Sequence, residues 1–173
     1  VAEEAAAWRE PARALPLRWG GYRGRYVAAV ALLLAGGLLV QAASVYAGYL
    51  LVGGLAAHIA GWIILPARGP RRVAIALPSA LAVGSLLFGS AGSILLVIPL
   101  AGWLYLRQRP AIAYLVTVLP VLGGLVLSQL YPQYGHGAIV VGVSTVVLVT
   151  SAWLGRSITK SRPISSQSRV KVR

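Results

Sequence analysis

Cysteine is absent, and acidic residues nearly so: the three carboxylates, Glu3, Glu4 and Glu10, all lie before Pro11. Without a thiol there are no disulfides, no thiolate metal sites and no thiol nucleophile. Without Asp or Glu beyond Glu10, carboxylate proton relays, paired acid/base sites and hard-metal sites lose the groups they need. A Ser/His/Asp triad lacks its acid, and the chain has no HExxH, no P-loop and no Gly-rich dinucleotide fingerprint. The expectation is a protein that is not an enzyme and holds no cofactor.

What is present is apolar: 58% of the residues are hydrophobic and only 11% charged, with a mean hydropathy of +0.77. A water-soluble domain of 173 residues carries far more surface charge. Tyr26 to Leu65 holds no charged residue. As one helix it would run roughly 60 Å, about twice the hydrocarbon thickness, so it must cross twice. The polar stretch 41–46 marks the turn, giving helices near Tyr26–Gln41 and Val45–Leu65. The same arithmetic divides Val73–Leu106 at Phe88–Ser93. Ala111–Leu130 is one span, and Ala138–Leu154 is another after the polar turn Tyr131–Gly137. The reading is an all-α, polytopic membrane bundle of six transmembrane helices arranged as three hairpins. Val40-Gln41-Ala42 resembles a signal-peptide cleavage site, but the long segment before the apolar run argues that the first helix is retained.

The net charge is +13, from sixteen basic residues. They fall only at the ends and in alternate loops: Arg9 to Arg25 before helix 1; Arg68, Arg71 and Arg72 between helices 2 and 3; Arg107 and Arg109 between helices 4 and 5; Arg156, Lys160 and four more after helix 6. Short basic loops stay on the cytoplasmic side, so both termini are expected in the cytoplasm and the protein in the cytoplasmic membrane. Residues 1–25 form a basic, aromatic interfacial segment, 26–154 the six-helix domain, and 155–173 a Ser-rich basic tail expected to be disordered. The partner implied by this charge is the anionic headgroup layer rather than nucleic acid, with Arg23, Arg25, Arg68, Arg71, Arg72, Arg107, Arg109, Arg156 and Lys160 as contacts. Other membrane proteins, or further copies of the chain, are the remaining partners.

Polar groups inside the bilayer are few. His58 falls near mid-membrane in helix 2, and an intramembrane ionisable group is a functional candidate by default. Its plain alternative is a neutral imidazole bonded to a neighbouring helix through Ser79, Ser85 or Gln129. Gln41 and Gln129 close the outer ends of helices 1 and 5 and complete the candidate polar site. His136, in the last outer turn, reads as a solvated loop residue. Ala-Gly-Trp at 60–62 and 101–103 and Ser-Ala-Trp at 151–153 place three tryptophans near the inner ends, as an interfacial belt would. Small residues at four-residue spacing, such as Gly53/Ala57/Gly61, permit close helix approach. Pro78, Pro99 and Pro120 fall inside helices 3, 4 and 5, where each removes a backbone hydrogen bond and invites a kink.

The run from His58-Ile-Ala-Gly-Trp62 through Pro66 and Arg68 to Arg71-Arg72-Val73 resembles a group of small actinobacterial multi-helix membrane proteins. The resemblance implies the membrane bundle and no particular activity. A structural or accessory protein that binds membrane partners or lipids is therefore expected, the alternative being a small transporter or channel component acting as an oligomer.

Overall fold

The computed structural model describes residues 21–67, 70–132 and 136–160, so Arg68, the segment before Gly21, the side chain of Lys160 and the tail from Ser161 lie outside the described residues. Among the described residues the chain is all-helical, with six helical stretches and no strand. We label them α1 (Tyr22–Ala42), α2 (Gly48–Ile64), α3 (Arg71–Gly84), α4 (Val97–Leu106), α5 (Val118–Leu130) and α6 (Gly137–Lys160). Three-residue-per-turn helix leads into or out of several of them: Ser85–Phe88 after α3, Ser90–Leu96 before α4 and Ala111–Thr117 before α5.

Four segments are long and apolar enough to cross a bilayer: Tyr22–Ala42, Arg71–Phe88, Ala111–Leu130 and Gly137–Thr159. Gly48–Ile64 and Ser90–Leu106 are also apolar but shorter. The distribution of side chains supports a lipid surround. Small residues such as Ala29, Ala76, Ser79, Ala80, Ala82, Ser93 and Ser151 are buried beside Trp62, Leu65 and Leu104, while Leu38, Leu77, Leu81, Leu115, Leu122 and Val146 point outward. An aqueous surface would not carry that apolar area, whereas lipid accepts it at no cost.

The boundaries differ from the expected ones in instructive ways. Helix α1 begins at Tyr22, a full turn early, because Arg25 is folded into the protein and its side chain finds a partner there. Helix α6 runs to Lys160, six residues past Leu154. Its last turns are held by the Ser157 and Thr159 hydroxyls, which donate to the carbonyls of Trp153 and Gly155, and by Ile158, which packs against Leu100, Leu104 and Val116. The first residues assigned to the tail are therefore helical.

Pro99 and Pro120 each sit two residues into an α-helical segment that follows a tighter turn. A proline ring collides with the carbonyl four residues back and supplies no N–H, so the preceding turn closes on i+3 bonds instead. The reversal between α3 and α4 turns on Gly89, whose φ of 82° lies in the left-handed region. Ser85 Oγ donates across this reversal to the Gly92 carbonyl at 2.9 Å, and a Cβ on Gly92 would strike the Ser85 carbonyl.

Candidate functional site

The closest helix pair is α1 against α2, and glycines create it. A Cβ on Gly36 would lie 2.7 Å from the Gly54 carbonyl oxygen and 2.8 Å from the His58 nitrogen, and a Cβ on Gly54 would lie 2.8 Å from the Gly36 oxygen. Backbones therefore touch without intervening side chains. This approach brings the His58 imidazole over α1, where Nδ1 lies 3.4 Å from the Leu33 carbonyl.

On its other edge, His58 Nε2 lies 2.8 Å from Ser79 Oγ, delivered by α3. Trp62, one turn along α2, donates its indole N–H to Ser79 Oγ at 2.8 Å and to His58 Nε2 at 3.1 Å. All three side chains are buried, at 3%, 0% and 1% exposure. One proton arrangement satisfies every member. Nδ1–H faces Leu33, the Ser79 hydroxyl donates to Nε2, and the indole N–H is shared between the hydroxyl oxygen and Nε2. A second ring proton, on Nε2, would face the indole N–H and displace the serine proton. The network is complete with a neutral imidazole and locks three helices together.

Of the anticipated partners for His58, the structure supplies Ser79. Gln129 is exposed at the end of α5, and Ser85 bonds instead to the carbonyls of Ala82 and Gly92. Gln41 stands apart, at the far end of α1, with its amide against Gly137 at the start of α6. The three residues do not form one site. Trp62 is the member that sequence reasoning assigned to the interfacial belt. It belongs to the network, and its spacing of four from His58 on a helix was the available signal. The other two tryptophans of the pattern differ again: Trp103 packs at 5.6 Å on Tyr26, and Trp153 is 64% exposed.

The basic residues gather around the N-terminal end of α1. Arg25 donates from Nε and a terminal nitrogen to the Ile64 carbonyl at 3.2 and 3.0 Å, capping the end of α2. Arg107 lies over the rings of Tyr26 and Trp103, at 4.5 and 4.8 Å, and donates to the Tyr22 hydroxyl at 2.6 Å. Arg71 lies 5.5 Å over the Tyr105 ring. Arg25 and Arg107 are buried in the protein, Arg72 and Arg109 are half-buried, and Arg23, Arg71 and Arg156 are exposed. Among the described residues no group of three His, Cys, Asp or Glu side chains is placed to hold a metal ion. At the opposite end His136 is exposed and packs on Tyr131 at 5.1 Å.

Comparison with protein-family models, with curated proteins and with solved structures yields no match.

Proposed function

We propose that this chain is a non-enzymatic structural or accessory protein of the cytoplasmic membrane, crossing six times with both termini inside and binding anionic lipid through its basic end. The observation that carries the reading is the collar formed by Arg71, Arg107, Tyr22, Tyr26, Trp103 and Tyr105, which joins the start of α1, the start of α3 and the end of α4, with Arg25 bonded to the end of α2 and exposed Arg23 next to Tyr22 in the first turn of α1. Aromatic rings and guanidinium groups at one level suit the headgroup layer, where Arg stems cover apolar rings and the charged heads meet phosphate. Burial of Arg25 and Arg107 makes them the frame of this collar, and the exposed Arg23, Arg71 and Arg156 are its lipid contacts. Each such contact contributes about 1 kcal/mol at an anionic surface.

The test compares thermal midpoints of the full chain in nanodiscs of neutral lipid with and without added phosphatidylglycerol. Anionic lipid is expected to raise the midpoint, salt to shrink that rise, and the double substitution Arg23→Gln/Arg71→Gln to reduce it by about half, since each removes a screened surface charge. Equal midpoints in both lipids would overturn the proposal.

Orientation is tested separately, and the absence of native cysteine makes single-cysteine labelling clean. Tyr46→Cys and Phe88→Cys occupy exposed positions between α1 and α2 and between α3 and α4, and Pro70→Cys and Arg156→Cys exposed positions at the basic end. In intact cells an impermeant thiol reagent is expected to modify the first pair alone. Modification at Pro70→Cys would refute the six-crossing arrangement.

A further inference from the structure

The α1–α2 hairpin is short, and both of its ends are fixed. At the inner end Arg25 of α1 donates to the carbonyl of Ile64, the last residue of α2, so the two helices finish at one level. At the outer end residues 43–47 leave the helical path, and Val45 and Tyr46 there are 98% and 97% exposed. Irregular backbone open to its surroundings does not enter hydrocarbon, because nothing there answers its peptide groups. Between these limits α2 has 17 residues, and α1, once its arginine-bearing first four are set aside, has 17 as well. Gly36 and Gly54, whose backbones touch, each lie six residues from the outer end of their helix. Each helix is therefore roughly 25 Å long, against a hydrocarbon core of about 30 Å. Neighbouring α3 and the tight turn after it add an uncharged run from Val73 to Phe88 of roughly 26 Å.

We propose that this hairpin fits a hydrocarbon layer of about 25 Å and gathers short-chain phospholipid along its outward face. This fit rests on the membrane-crossing reading above and concerns acyl chains rather than headgroup charge. Helix α2 packs on α1 and α3, and Val27, Leu34 and Leu38 of α1 face outward with Val52 and Ile63 of α2, so lipid meets the short helices directly. The longer helices do not oppose this fit. Ala111–Leu130 runs roughly 34 Å, and Gly137–Thr159 has 23 residues. A helix with length to spare shortens its span by tilting, whereas tilting a short helix only widens its deficit. The shortest pair therefore sets the thickness. Tyr46 and Tyr49, both exposed at the outer turn, suit the water interface at which this depth puts them.

The full chain is placed in nanodiscs of neutral monounsaturated phosphatidylcholines whose hydrocarbon thickness increases stepwise from about 20 to about 35 Å, bracketing natural membranes at ~27–33 Å. The melting midpoint is expected to peak at about 25 Å and to fall by about 3 °C or more at ~33 Å. A peak at about 30 Å or above, or a midpoint indifferent to thickness, overturns the proposal. Failure of the crossing arrangement itself would appear instead in the cysteine labelling. Two matched substitutions localise the effect. Leu38 and Val126 both face outward, four residues before the outer ends of α1 and α5. Leu38→Asp cuts the α1 run by about a turn and is expected to move the peak to bilayers thinner by ~5 Å. Val126→Asp leaves the α5 span at roughly 26 Å, still longer than the hairpin, and is expected to leave the peak in place. Equal displacement by both substitutions, or none by Leu38→Asp, would equally overturn the assignment to this hairpin.

Discussion

Gly36→Val and Gly54→Val should each prevent α1 and α2 from assembling, while Gly37→Val and Gly53→Val, one residue away on the same helices, should be close to neutral. A side chain at Gly36 meets the Gly54 oxygen and the His58 nitrogen, and one at Gly54 meets the Gly36 oxygen and the Val40 nitrogen, all at 2.7–2.8 Å. These are backbone atoms of another helix and cannot rotate away, so the helices must separate. Overpacking a core position costs about 1–3 kcal/mol where side chains can adjust. Here none can, and separation also pulls His58 from Leu33, so the loss is expected above about 3 kcal/mol. Gly37 and Gly53 have no neighbouring atom within 4 Å of an added Cβ, and substitutions at such positions stay within about 0.5 kcal/mol. The measurement is the folded fraction against denaturing detergent for the four variants side by side. Equal losses at Gly36 and Gly37 would show that α1 and α2 do not pack as described.

Much of this architecture was legible because the bilayer reduces the sequence to a length problem. Uncharged runs too long for one crossing had to be divided, and the divisions fell where polar residues and glycine collect, at 41–46 and at Gly89. Helix ends were less legible. Arg25 and Ser157 read as loop residues by polarity, yet Arg25 is drawn into helix by the Ile64 carbonyl and Ser157 by that of Trp153. The Ile64 carbonyl, 39 residues from Arg25, is not visible without the fold, whereas the Trp153 carbonyl is local to α6.

The polar network was half legible. An imidazole in an uncharged run announced itself, and Ser79 was among its anticipated partners, but the apolar surroundings hid Trp62 because an aromatic near a helix end is ordinarily an interfacial residue. Gln41 and Gln129 looked equivalent in sequence, each closing the outer end of a Gly-Gly-Leu helix. Packing separates them: α6 starts against the Gln41 amide nitrogen, while Gln129 faces outward.

His58→Leu is expected to destabilise the protein by about 2 kcal/mol and to leave ion movement across the membrane unchanged. Removing the imidazole takes away the partner of the Leu33 carbonyl and the acceptor for the Ser79 hydroxyl, while Trp62 N–H keeps Ser79 Oγ at 2.8 Å. Each interhelical bond in a membrane contributes roughly 0.6–2 kcal/mol, and the surviving tryptophan–serine pair limits the loss to the middle of what two such bonds supply. His58→Gln retains a donor and an acceptor and is expected to recover at least half. Trp62→Phe removes the shared N–H but keeps most of the buried ring, at about 1 kcal/mol. Because Ser79 bonds to both His58 and Trp62, the double variant His58→Leu/Trp62→Phe is expected to lose more than the two singles together, since it strands the serine hydroxyl. A proton carrier would behave differently: with a neutral imidazole already answered on both nitrogens and no carboxylate beyond Glu10, a proton on His58 has no neighbouring titratable side chain to receive it. Melts of the four variants in one detergent, set beside proton flux in liposomes, decide the matter. Wild-type flux that disappears in both His58→Leu and His58→Gln, with melts unchanged, would make the network a conduit rather than a clasp.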